Sequence, residues 1–205
     1  MVTCKSRSFF KVCIMALAGL GLALLASCAS RGVTLFKLTP AQGKMSTASV
    51  HDDQVVLSAR YLDAGERMMY LTERGYETLG LGLRQVSLVT FVLSVDNGSD
   101  QSLELDPGSI RLAVGYGPLL SPSNYAHLYM ELPPGSDRQR ILEDLRKTVF
   151  DKSATIAGGE VSEKLLLFKR PERVGPEVAI LFQRLFVGAE ENRAVLDFRT
   201  VDLER

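Results

Sequence analysis

The chain has no tryptophan, only two histidines and three cysteines among its 205 residues. Each shortage excludes some chemistry. Without tryptophan, a sugar-stacking platform would fall to tyrosine or phenylalanine. The cysteines are Cys4, Cys13 and Cys28, so beyond position 28 there is no thiol for a disulfide, a thiolate metal cluster or a nucleophile. His51 stands beside Asp52 and Asp53, but adjacent side chains diverge and no second ligand cluster follows, so this triplet reads as an exposed loop and no metal is expected. His127 reads as a helix-face residue and not as a catalytic base. Serine-nucleophile signatures are missing beyond the first 27 residues: there is no G-x-S-x-G and no S-x-x-K there. Gly80-Leu81-Gly82 and Gly115-Tyr116-Gly117 are too short for phosphate loops and lack the P-loop lysine, so both read as turns and no cofactor is expected. Glu143-Asp144, flanked by Arg140, Arg146 and Lys147, reads as a solvated helix face. Neither sign of charge prevails, with 24 basic and 24 acidic groups.

What is present is concentrated at the start. Residues 1–11 carry Lys5, Arg7 and Lys11 and no acid; Val12 to Leu25 is apolar apart from its glycines; Leu25-Ala26-Ser27-Cys28 follows. A basic start, an apolar core and small residues at a cut site describe an export signal. The apolar run reaches only 18 residues even when extended to Ala29, short of the about 20 a spanning helix needs. The first 27 residues hold three of the 24 basic groups, so a product beginning at Cys28 is acidic by three charges. Such a protein has neither the electrostatic footprint for nucleic acid nor a polybasic patch.

The quartet Leu25-Ala26-Ser27-Cys28 resembles the lipobox of bacterial lipoproteins, an aliphatic residue and two small ones before a cysteine. The resemblance implies a cut between Ser27 and Cys28, with lipid on Cys28 that anchors the product to a membrane without a spanning helix. In such lipoproteins an aspartate after the cysteine commonly retains the product in the inner membrane; Ala29 stands there, which implies the outer membrane, facing the periplasm.

Residues 28–50 mix polar and small side chains and read as the lipidated N-terminus and a flexible tether, with Val33, Leu35 and Phe36 available to dock. The folded body is expected over 51–205. Val55, Leu57, Ala59 and Tyr61 alternate, as do Val89, Phe91, Leu93 and Val95. Asn97 to Asp100 and Pro107-Gly108 are turn signals, and with the stretches around Leu103–Leu105 and Ile110–Val114 they suggest an antiparallel meander. The period then changes. Ser121-Pro122 opens an expected helix carrying Tyr125, Leu128, Tyr129 and Leu132. Ser136 and Gln139, at capping-box spacing, open a second that carries Ile141, Leu142, Leu145 and Val149. Residues 64–80 offer another helical piece around Met68 and Leu71. Strand character returns at 153–157, 161–168, 178–187 and 194–201, with a loop at 188–192. The sum is an antiparallel β-sandwich of about seven strands with a two-helix insertion near 121–150.

Two stretches carry a further resemblance. Phe91 to Asp100 followed by Leu103 and Leu105-Asp106-Pro107, and Ile156-Ala157-Gly158-Gly159-Glu160 leading to Phe168, are similar to parts of bacterial immunoglobulin-like domains of the telokin-like and water-stress types, with Gly158 where proline is usual. That resemblance implies an immunoglobulin-like sandwich and leaves activity open. The expectation is therefore a non-enzymatic envelope lipoprotein that binds or scaffolds another envelope protein, with Tyr116, Tyr125 and Tyr129 marking its contact surface. The alternatives are a periplasmic carrier of a small molecule or lipid, which would need a cavity lined by Tyr125, Leu128 and Ile141, and an envelope hydrolase, which would need converging acids or His127 in a cleft with a serine.

Overall fold

Alternating apolar residues in ten segments build two antiparallel sheets that bury their facing sides against each other, giving a mainly β sandwich. The computed structural model describes residues 36–41, 45–132, 137–173 and 175–202. The strands are β1 (Phe36–Pro40), β2 (Ser46–Val50), β3 (Val55–Leu62), β4 (Leu88–Asn97), β5 (Leu103–Leu105), β6 (Ile110–Val114), β7 (Ala154–Ile156), β8 (Glu160–Lys169), β9 (Glu177–Val187) and β10 (Glu190–Asp202). One sheet runs β1-β10-β9-β5-β7, with β6 also on β9; the other runs β2-β3-β4-β8. Between them lie Val55, Leu57, Phe91, Leu93 and Phe168 from one side and Leu38, Leu112, Ile180, Leu196 and Phe198 from the other, all buried. Phe91 is the hub: its ring centroid lies 4.9 Å from Phe198, 6.2 Å from Phe168 and 6.0 Å from Tyr61.

The second face of the four-stranded sheet is covered too. Four helices, α1 (Ala64–Glu73), α2 (Glu77–Arg84), α3 (Tyr125–Glu131) and α4 (Arg138–Thr148), bury Leu71, Leu79, Leu83, Leu128 and Leu145 against Leu62, Val92, Leu165 and Leu167. Helix α1 starts where Asp63 Oδ1 accepts the amides of Gly65 and Glu66, while Glu66 accepts the Asp63 amide: a reciprocal capping box. Gly80 and Gly82 belong to α2 and let it approach its neighbours. A Cβ on Gly80 would stand 3.3 Å from the Met68 carbonyl oxygen, and one on Gly82 would stand 3.1 Å from Leu132 Cδ2. Glu163 on β8 ties α1 down, accepting from Tyr70 Oη at 2.8 Å and from Arg74 at 2.6 Å, with the Arg74 guanidinium 3.7 Å above the Tyr70 ring. Burial first, and the bond to Glu163 second, hold the Tyr70 hydroxyl well above its ordinary pKa. Because Glu163 and Arg74 are half exposed, Glu163→Gln is expected to cost about 1 kcal/mol or less, read as a small fall in the urea midpoint.

Several expectations change. The strands number ten among the described residues against about seven expected, and the helices four: the two of the insertion and two over residues 64–84, where 64–80 offered one helical piece. Residues 36–50 are not tether: β1 pairs with β10, β2 pairs with β3, and Phe36 and Leu38 enter the core. The meander is replaced by a crossover, because β4 lies in one sheet while β5 and β6 both lie along β9 in the other. Gly80-Leu81-Gly82 is helix and not turn, whereas Gly115-Tyr116-Gly117 is a turn. Helix α3 starts at Asn124, whose Oδ1 accepts the His127 amide at 2.8 Å; Ser121 cannot cap it, because Leu120 and Ser123 are held extended by bonds to Leu112 and Leu167. Ser136 lies outside the described residues, and Gln139 donates forward to Glu143 instead of back to a cap. Asp144 is buried and not solvated. The loop expected at 188–192 is a two-residue connection, since Glu190 already pairs with Val187.

Candidate functional site

Strand register gives the sandwich two distinct ends. At one, the loops after β2, β4, β7 and β9 gather: Val50 pairs with Val55, Asn97 with Glu160, and Val187 with Glu190. Asn97, fully buried, donates through Nδ2 toward the carbonyls of Gln101, Ile156 and Ala157 at 2.8–3.1 Å, while its Oδ1 accepts from the Ser99 hydroxyl at 2.7 Å. The two stretches that carry the immunoglobulin-like resemblance therefore meet at this side chain as well as along the β4–β8 ladder. A Cβ on Gly158 would lie 2.6 Å from the Ser99 carbonyl oxygen, so this close approach requires glycine there. Beside it, His51, Asp52 and Asp53 all adopt left-handed backbone, with φ of 54°, 54° and 63°. His51 Nδ1 lies 2.8 Å from Glu190 Oε2, joining the two sheets across their tips. Around this pair Asp52, Asp53, Asp96, Asp100, Glu160 and Glu191 are exposed, so the end is acidic.

The helical layer holds a buried cation. Arg67, 1% exposed, donates from Nη1 to Thr90 Oγ1 and from Nη2 to the Leu83 carbonyl, each at 2.7 Å. Burial lowers its pKa, and Tyr61 and Asp63 partly oppose that shift. The guanidinium thus holds the helices to the sheet, with Thr90 on β4 and Leu83 in the last turn of α2 as its acceptors. Tyr125 and Tyr129 pack half buried on the edge of the same layer, under Arg146 at 5.2 Å and Arg138 at 4.8 Å. His127 faces Glu131 one turn on, Nε2 to Oε1 at 3.4 Å. Leu128 and Ile141 are enclosed in packed side chains, and neither described cavity touches them.

The other end is where β1 begins and β10 finishes. Val114 on β6 pairs with Val178 on β9, which pairs with Phe198 on β10, which pairs with Pro40 on β1. Two residues beyond Val114 along that direction comes Tyr116, fully exposed, in a turn closed by the Gly117 amide on the Val114 carbonyl at 3.0 Å. Gly115 has a φ of 50° and lies against Gly175, backbone on backbone, so the turn is seated on the residue two before β9. An open groove of about 970 Å³ runs beside it, lined by Tyr116, Arg173, Glu177, Ala179, Asp197 and Arg199. A second hollow of about 440 Å³, near the start of α3, is lined by Asp106, Arg111, Asp151 and Lys152 without a histidine.

The three tyrosines read as one surface thus separate. Tyr125 and Tyr129 lie in the helical layer outside the four-stranded sheet, and Tyr116 stands at the end of the six-stranded sheet. Ser27 and Cys28 lie outside the described residues. Among the described residues no helix is long and apolar enough to cross a membrane, and no three His, Cys, Asp or Glu side chains group as metal ligands.

No family model matches the chain, and no curated protein matches it by sequence. Solved structures similar to it include the yjhA protein from Bacillus subtilis, 8% identical over 66% of this chain and 76% of that one, with a TM-score of 0.36. A FixG-related protein from Vibrio parahaemolyticus is 12% identical over 74% of this chain and 99% of that one, with a TM-score of 0.38. A "putative lipoprotein (ycdA)" from Bacillus subtilis subsp. subtilis str. 168 is 10% identical over 81% of this chain, which spans 37% of its length, with a TM-score of 0.36. At these scores neither function nor family follows from the likeness.

Proposed function

We propose that this chain is an envelope lipoprotein, lipidated on Cys28 after cleavage at Ser27, whose sandwich is a non-enzymatic module that binds or scaffolds another envelope protein. The observation that carries the reading is the sequence Leu25-Ala26-Ser27-Cys28 placed just ahead of the domain: β1 begins at Phe36, so seven residues separate the lipid-bearing position from the first strand. A filled core between the sheets and a filled helical layer favour a display module over a carrier. Exposed Tyr116 and the half-exposed tyrosines over α3 provide two separate contact surfaces. Ala29 in place of aspartate favours the outer membrane. The expected result for Cys28→Ser is complete loss of palmitate labelling with the signal segment uncut, read as a product that is heavier by residues 1–27. A Cys28→Ser protein that still labels, or is still cut before residue 28, would refute the anchor.

A further inference from the structure

We propose that the Gly115–Tyr116–Gly117 turn rests in the headgroup layer of the membrane that holds Cys28, fixing the sandwich with its acidic end pointing away from the bilayer. The inference rests on the lipid anchor above and adds an orientation and a contact residue to it. Eight residue steps from Cys28 to Phe36 reach at most about 27 Å whatever their conformation. Strand β10 alone, at 13 residues, is roughly 40 Å long. A tether shorter than the sandwich, joined to it at Phe36, keeps the Phe36 end nearest the lipid.

Tyr116 belongs to that end by register. It lies beyond Val114, level with the last residues of β10, and about three strand spacings, or roughly 15 Å, across the sheet from β1. Its ring is fully exposed, carries an apolar body with a polar hydroxyl, and stands beside Arg173 and Arg199, a composition suited to the boundary between headgroup and acyl chain. Val201, 45% exposed near the end of β10, adds apolar surface on the same side. The seating of Gly115 on Gly175 displays the ring on a backed turn. Charge agrees. Asp52, Asp53, Asp100, Glu160, Glu190 and Glu191 crowd the far end, and an anionic leaflet repels them, while cations and acids are mixed around Tyr116.

Because Cys4 and Cys13 leave with the signal segment and Cys28 is acylated, Tyr116→Cys supplies one free thiol on the full lipidated chain. That thiol is labelled with a nitroxide and the protein is reconstituted into vesicles of phosphatidylethanolamine and phosphatidylglycerol. Ala189→Cys, in the β9–β10 turn, is the distal control. The expected result is a severalfold higher ratio of oxygen accessibility to aqueous-nickel accessibility at 116 than at 189. Equal, water-like ratios at both sites on vesicle-bound protein overturn the orientation while leaving the anchor standing. A label at 116 shielded from both reagents means contact with a second protein copy and overturns it as well. Protein that does not float with vesicles at all overturns the anchor itself, and the orientation with it.

Discussion

Replacing Arg67 with alanine is expected to lower the unfolding free energy by roughly 3–5 kcal/mol, a fall in Tm on the order of 10 °C for a domain of this size. The cause is the way a charge without a carboxylate partner is accommodated in the helical layer. Arg67 binds the Thr90 hydroxyl on β4 and the Leu83 carbonyl in the last turn of α2, with a longer contact to the Val86 carbonyl. A cation at a helix C-terminus meets the negative end of the backbone dipole, which offsets part of the desolvation that lowers its pKa. Truncation would leave a void the length of the side chain and strip donors from groups that water does not reach. Arg67→Met separates the two losses, since it keeps most of the volume and removes both the charge and the donors. It is expected to recover about half of the stability lost in the alanine variant. If methionine were no better than alanine in guanidinium titrations, packing would not contribute; if it matched the wild type, the hydrogen bonds would not.

The two sheets were legible because one face of each strand meets the core, and this leaves a period of two in Val55–Tyr61 and Val89–Val95. Thr90 and Val92 look solvent-facing in that pattern but are buried, because helices far apart in sequence cover them. One of those helices carries a start signal that placing it around Met68 and Leu71 did not use: Asp63 and Glu66 stand at capping-box spacing. Helix α2 had none, as Gly80 and Gly82 carry turn character locally and are used instead for close contact with α1, Leu132 and Ile141. Strand β1 contributes only Phe36 and Leu38 to the core and is defined by its partner β10, at the other end of the chain, so no local pattern announces it. The tyrosines show the same limit for the site. Tyr116 and Tyr125 are near neighbours in sequence, yet the extended segment between them crosses from one layer of the molecule to another.

Asn97 is expected to be the second position of large effect, although its sequence context indicates nothing more than a turn. Its amide donates toward carbonyls on two other segments, so Asn97→Ala removes the buried donor to the Ile156 carbonyl and one of two donors to those of Gln101 and Ala157, which keep the Ser99 hydroxyl and the Glu160 amide. The expected cost is roughly 2–3 kcal/mol, from the buried carbonyl that loses a partner and from the void left by the side chain. Asn97→Asp preserves shape and inverts the chemistry, directing carboxylate oxygen at carbonyl oxygen, and at neutral pH it should cost more than alanine. In that variant the folded protein would hold the carboxyl proton more tightly than the unfolded chain does. Its stability should therefore rise as pH falls through the folded-state pKa, where the wild type shows no such recovery from this position. Hydrogen exchange gives a local readout, because the Gly159 amide donates to the Asn97 backbone carbonyl at 2.6 Å and its protection should fall with the loss of the side-chain tie. Equal stabilities for the alanine and aspartate variants across the acid range, with Gly159 protection unchanged, would mean that the backbone turns alone hold this end of the sandwich together.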